Sequence, residues 1–187
     1  GFPASACVSV NEVVVHGIPD DKTILKDGDI VSVDLCAYKN GFHGDAARTF
    51  LIGNVSEEKR LLVERTKECF FKGIENLHAG TPLYDIGYRV QKYAESFGYG
   101  VIRSYTGHGI GREMHEDPAV PNYGRLGTGP RLKANTVICI EPMISMGNYR
   151  VRILDDDWGA VTIDGSPAAH YENTVAVRED GVEILTL

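Results

Sequence analysis

No apolar run in this chain approaches the roughly 20 residues that a membrane-crossing helix requires, and no secretory signal opens it. Lysine and arginine form no run, and the net charge is −7. Both features argue against nucleic acid or an anionic membrane as the main partner. The four cysteines, Cys7, Cys36, Cys69 and Cys139, form no C-x-x-C pair. A metal-cysteine site is therefore disfavoured, and reduced, buried thiols in a cytoplasmic protein are expected. The first residue is Gly1 rather than methionine, as expected of a processed or truncated form. What remains is ordinary: 187 residues, 43% hydrophobic and 24% charged, enough for one domain or two small halves sharing a core. No linker divides independent domains.

The most informative stretch is Asp29 to Ile52, in which two apolar runs flank Asn40-Gly41. Asn-Gly is the strongest short hairpin signal. A two-residue turn there pairs Lys39 with Phe42, Cys36 with Asp45 and Asp34 with Ala47. Opposed residues share a face, as do residues two apart on one strand. Asp34 and Asp45 thus become diagonal neighbours, roughly 7–8 Å apart at the backbone. A slip of one residue would separate them. Two carboxylates held together need a proton, a cation or solvent between them. Taken alone, the hairpin also fits two solvent-facing acids on an exposed sheet face.

Val8 to Val15 reads as a strand broken by His16-Gly17-Ile18-Pro19. Ser56 is the expected N-cap of a helix running to about Leu77, its less polar face formed by Leu62, Thr66, Cys69, Phe70, Gly73 and Leu77. Thr81 is the expected cap of a second helix, with Pro82 at its first position and Ile86, Val90, Tyr93, Ala94 and Phe97 at helical spacing. Val101 to Tyr105 reads as a short strand leading into the GHGIG segment. Asp117 to Pro130 reads as a loop, and Thr136–Ile144, Ala160–Ile163 and Tyr171–Arg178 as further strands.

The chain echoes itself. Leu25-Lys26, Ile30-Val31 and Val33-Asp34 recur as Leu132-Lys133, Val137-Ile138 and Ile140-Glu141 at a constant offset of 107. More loosely, the segment from Asp45 resembles the segment from Glu172. Each half ends one apolar strand, and begins another, with a carboxylate. The alternative is chance similarity between amphipathic strands.

The candidates gather as Asp34, Asp45, His108, Glu141 and Glu172. Glu141 follows the apolar VICI, where a carboxylate calls for a cation or a donor. His108 lies between Gly107 and Gly109, where backbone can approach a ligand closely. Four carboxylates balance two divalent cations, and an imidazole completes a mixed nitrogen–oxygen shell suited to Mn, Fe, Co or Zn rather than calcium. Two such ions roughly 3.5–4 Å apart can clamp a bridging water or hydroxide and stabilise both ends of a hydrolytic displacement. The glycines around His108 lack the P-loop lysine and the Rossmann spacing, so a phosphate loop is rejected.

The segments VVVHGIP, VSVDL, HGDAART, GHGIGREMHEDP, ICIEPMI and HYENTVAV, in that order and over nearly the whole chain, resemble the signature of type I methionine aminopeptidases. The resemblance implies an α+β pita-bread fold: a single catalytic domain of two pseudo-repeated halves, roughly 1–80 and 81–187, around a curved antiparallel sheet. It implies that Asp45 and Glu172 bridge two divalent metal ions, with Asp34 completing one shell and His108 with Glu141 the other. It casts Glu141 as proton shuttle, His115 as the group that polarises the scissile carbonyl, and His16 as a contact to the substrate backbone. Phe2, Cys7, Met114 and Trp158 take positions near the pocket for the first side chain. Without the resemblance, His16 is a strand-end histidine and His115 a surface one. Cys7 and Met114 are then packing residues, and Trp158 a cap on a loop. His43, His78 and His170 match no functional position and are expected to be structural or solvated. The implied substrate is the N-terminus of a peptide or nascent chain, with a small second residue. No nucleic acid or membrane partner is implied, and the expected state is a cytoplasmic monomer. The family pattern also places an N-terminal helix and strand before GFPAS.

Two other readings compete. A proline-specific pita-bread peptidase shares the five ligands, but usually carries Glu-Pro-Gly where this chain has Glu141-Pro142-Met143. A non-catalytic binding module on the same fold typically loses metal ligands, and all five are present here. The spacing from His108 to Glu141 leaves no room for the insertion of type II enzymes.

Overall fold

The computed structural model describes residues 1–186. In chain order the elements are β1 Cys7–Val10, β2 Val13–Val15, β3 Ile30–Lys39, β4 Phe42–Leu51, α1 Glu57–Gly73, α2 Tyr84–Glu95, β5 Gly100–Val101, β6 Gly107–Gly109 and β7 Glu116–Val120. There follow β8 Val137–Ile140, β9 Met143–Ser145, β10 Val151–Ile153, β11 Ala160–Thr162, β12 Ala168–His170, β13 Asn173–Val177 and β14 Val182–Ile184. The strands form four sheets, ordered β1-β3-β4, β10-β11-β2, β12-β9-β5 and β14-β13-β8-β6-β7. Every strand pairing among the described residues is antiparallel.

The β3–β4 hairpin has the register its turn dictates: Lys39 pairs with Phe42, Cys36 with Asp45 and Asp34 with Ala47. Asn40 and Gly41 both have positive φ, 53° and 85°, as a type I′ turn demands.

Strand alternation separates core from site. On β8, Ile138 and Ile140 join Phe70, Ile86, Val175 and Val177 in the core under the helices. Cys139, and Glu141 just beyond the strand, point to the opposite face. A second cluster packs α1 and α2 through Leu62, Cys69, Val90 and Ala94 against Ile30, Ile144 and Ala169. Both helices thus cover one side of the sheets and leave the other for chemistry.

Several local expectations are corrected. The stretch Val8 to Val15 is two strands, because Asn11 takes a left-handed φ of 50° and turns the chain between them. β1 then pairs with β3, and β2 with β11. Ser56 caps α1 as its sequence dictates, accepting from the Lys59 N–H, but the helix ends at Gly73, and Leu77 packs in the core from the turn beyond. Thr81 does not cap α2: its hydroxyl accepts from the His78 N–H, Pro82 bridges to Arg131, and the helix starts at Tyr84. The sheet claims Glu116–Val120, read above as mostly loop, as an edge strand beside β6. The run Thr136–Ile144 is split at Glu141-Pro142, since proline cannot donate to a ladder. No helix among the described residues is long and apolar enough to cross a membrane.

Candidate metal centre and active site

The site lies where the β3–β4 hairpin meets β13. Thr174 grips Asp45 by its backbone: its hydroxyl accepts from the Asp45 N–H and donates to the Asp45 carbonyl, both at 2.9 Å. Glu172 N–H donates to the Ala47 carbonyl at 3.0 Å. Arg48 adds a third tie, donating to the Glu172 carbonyl and, at 2.7 Å, to Asn173 Oδ1, with its guanidinium over the Tyr171 ring. Residues 129 positions apart are thereby fixed side by side.

Asp34, Asp45, His108, Glu141 and Glu172 all line one cavity of about 540 Å³, together with His16, His115, Phe2, Cys7, Met114 and Trp158. The structure therefore brings every candidate named above into a single space. A second cavity of about 480 Å³ shares His16, Asp34, His108, His115 and Glu141, and continues past Thr106, Glu116 and Asp117.

His108 stands on β6, and the flanking glycines are needed for the sheet rather than for a ligand. A Cβ on Gly107 would lie 2.2 Å from the Cys139 carbonyl oxygen, and one on Gly109 equally close to that of Asp117. His108 Nδ1 faces the Gly109 carbonyl at 2.9 Å, which fixes the proton there and leaves Nε2 free to coordinate. That Nε2 lies 3.5 Å from Glu141 Oε1. His115, exposed on the cavity rim, packs edge-on against His108 with centroids 4.4 Å apart. His16 has φ +58°, a backbone state rarely held by a residue with a side chain unless its surroundings enforce it. Its ring stands edge-on to Tyr105 at 5.2 Å and to Trp158 at 6.5 Å, and Phe2 meets Trp158 at 5.3 Å.

Electrostatics show what the carboxylates lack. Burial, followed by repulsion from Asp45 and Glu141, pushes Asp34 up to about 7 against the pull of His170. Burial likewise takes Glu141 to about 8, opposed by His108 and reinforced by Asp45. Glu172 is raised well above the ordinary range by burial and then by Glu141, Asp45 and Asp34. Burial lowers His16 and His170 toward the neutral imidazole. Asp45 Oδ1, Glu172 Oε1 and His170 Nε2 are buried with no hydrogen-bond partner. Donors from Asp45, His108, Cys139 and Glu172 lie within 4.8 Å of one another, as do donors from Glu141, His170 and Glu172. Crowded carboxylates, orphaned oxygens and an imidazole with a free Nε2 fit divalent cations.

The sequence reading missed four contributors. Thr174 and Arg48 position the strands that carry the candidate ligands. Cys139 is buried beside the cluster, its Sγ 3.6 Å from Thr174 Oγ1. His170, expected to be structural or solvated, is 1% exposed and faces Glu141 and Glu172. Three of them carry a simple signal: Cys139, His170 and Thr174 each lie two residues from a candidate ligand and so share its face. Cys7 and Cys36 are half-buried cavity residues rather than core thiols. Burial first, then the neighbouring aspartates, pushes Cys7 up to about 12 and Cys36 to about 11.

A scaffold of four antiparallel sheets and two covering helices that gathers four acids and a histidine into a cleft defines a pita-bread metallopeptidase. Residues 1–179 match the model of metallopeptidase family M24, and the chain belongs to that family. It is 59% identical over its full length to a methionine aminopeptidase of Clostridium acetobutylicum, spanning 75% of that protein. It superposes on the crystal structure of methionine aminopeptidase from Rickettsia prowazekii with a TM-score of 0.98 at 46% identity, covering 100% of this chain and 75% of that one. Prolidase from Pyrococcus furiosus is more distant: TM-score 0.77 and 26% identity, over 98% of this chain and 49% of the other.

Proposed function

We propose that the chain removes N-terminal methionine from peptides and nascent proteins whose second residue is small, with two divalent ions drawn from Mn, Fe, Co or Zn. The observation that carries this reading is the meeting of the five candidate ligands with an apolar, sulfur-bearing wall in one cavity. Identities of 46–59% to proteins named methionine aminopeptidase support the same reaction.

Asp34, Asp45, His108, Glu141 and Glu172 would hold the ions, with Asp45 and Glu172 as the carboxylates that both ions would share. When bound, the ions supply Lewis acidity and a nucleophile available at neutral pH. Glu141 then accepts the proton of the attacking water and passes it to the leaving amine. His115 hydrogen-bonds the scissile carbonyl oxygen from the cavity rim, where charge develops. His16 contacts the substrate backbone. Phe2, Cys7, Met114 and Trp158 receive the thioether side chain, which makes favourable contacts with aromatic rings. The cavity past Thr106 and Asp117 offers the exit for the rest of the peptide. The enzyme is read as a monomer, and its four free thiols suit a reducing compartment, the cytoplasm.

A peptide panel with the metal-loaded chain tests this reading. Met-Ala-Ser and Met-Gly peptides should be cleaved, and Leu-Ala peptides much less. Apolar pockets discriminate by only about 1–3 kcal/mol per methylene, so that residual cleavage should remain measurable. A preference for Ala-Pro over Met-Ala would assign the chain to proline-specific peptidases instead.

A further inference from the structure

We propose that His170 is a positioning residue for the metal-binding carboxylates, donating a hydrogen bond from Nε2 to Glu141 and Glu172. The inference rests on the reading of those two acids as ligands. His170 ends β12, two residues before Glu172, so the two side chains share a face. It pairs with Met143, two residues past Glu141, which brings the ring to Glu141 as well. The ring is buried, and Nε2 has no hydrogen-bond partner. The carboxylate oxygens within 4 Å are Glu141 Oε2 at 3.6 Å and Glu172 Oε2 at 4.0 Å, while the charges of Asp34 and Asp45 act on the ring from farther away. The two oxygens lie roughly 0.5 Å and 1 Å beyond hydrogen-bond length, respectively. Contraction of the carboxylates by those amounts gives the orphaned donor its acceptors.

Glu141 therefore stands between two imidazoles. Its Oε1 faces His108 Nε2 at 3.5 Å, and its Oε2 faces His170 Nε2 at 3.6 Å. The proton of His108 is held on Nδ1 by the Gly109 carbonyl, so that ring offers a lone pair. His170 is free to present an N–H to the other oxygen. Coordinating carboxylates are as a rule hydrogen-bonded from behind, and that contact sets their orientation. The backbone keeps His170 in place: Thr49 Oγ1 accepts from its N–H and donates to its carbonyl, both at 2.9 Å. This is the same grip that Thr174 applies to Asp45. The two grips run in opposite directions, Thr174 of β13 holding Asp45 of β4 and Thr49 of β4 holding His170 of β12.

The test compares His170→Gln, which keeps a donor, with His170→Leu, which does not, in the full chain stripped with chelator and reloaded with Co²⁺. Three quantities are read: calorimetric Co²⁺ affinity, the cobalt d–d absorption, and kcat on Met-Ala-Ser at saturating metal. His170→Leu should lose about 10–100-fold in affinity or kcat. His170→Gln should recover most of that loss with an unchanged d–d spectrum. Wild-type behaviour of the leucine variant would overturn the inference. So would equal impairment of both variants with a lowered melting temperature of the chelated protein, which marks packing alone. A d–d spectrum altered in the glutamine variant would make His170 a ligand and overturn the positioning role. A wild-type chain that takes up no cobalt would overturn the ligand reading, and the inference with it.

Discussion

Thr174 closes a two-way hydrogen bond around Asp45, accepting from its N–H and donating to its carbonyl. The contact joins two strands that the sequence separates by most of the chain. Thr186 Oγ1 also reaches the Asp45 carbonyl, at 3.3 Å, whereas Thr174 is the partner found for the N–H. Thr174→Val keeps the shape and β-preference of the residue but orphans that buried N–H. It should cost about 1–3 kcal/mol in urea unfolding of the chelated chain. Thr174→Ser should restore most of the loss. An unchanged unfolding midpoint in the valine variant would show that the grip contributes nothing.

His115 lies on the cavity rim against His108 and outside both donor clusters. His115→Ala should lower kcat about 10²–10³-fold, the usual cost of one donor to a developing oxyanion, while bound metal is unchanged. Loss of metal in this variant would make His115 a ligand instead.

The metal-free protein should carry the strain of its own carboxylates. Asp34 and Glu141 titrate near 7 and 8 in the fold, against ordinary values of 3.8 and 4.5. Between those limits the folded state binds more protons than the unfolded one. Stability from these groups is therefore greatest in acid and falls as pH rises, levelling off above about 8. Thermal melts of chelated protein should drop from pH 5 to pH 8, and Mn²⁺ should remove the drop. A chelated protein whose melting temperature does not fall over that range would contradict the crowding.

Trp158 backs the pocket wall through edge-on contacts to Phe2 and His16. Trp158→Ala should raise KM for Met-Ala-Ser more than it lowers kcat, since a side-chain pocket contributes binding that substrate and transition state share. A selective loss of kcat would move Trp158 from the pocket to the chemistry.

How much of this was written in the sequence depends on the range of the signal. The β3–β4 register was legible because Asn40-Gly41 dictates a type I′ turn, and the turn fixes every pair. Ser56 was legible as a cap for the same local reason. The break at Asn11 and the start of α2 were not, since tertiary pairing with β3, β11 and Arg131 decides both. The candidate ligands were found through an internal echo and a family resemblance. The residues that support them, Thr174, Arg48 and His170, act across the junction of β4 with β12 and β13. That junction is invisible until the two halves are placed together, although a period of two from each ligand marks Thr174, His170 and Cys139.

The central claim is that Asp34, Asp45, His108, Glu141 and Glu172 form one two-ion centre. The most direct measurement is calorimetric titration of Mn²⁺ into the chelated full chain, beside the Asp45→Asn variant. The account predicts binding that saturates at two ions per chain with a raised melting temperature, and weakening of both ions in the variant, because it assigns Asp45 to both. A chain that binds no ion, with an unchanged melt, would contradict it.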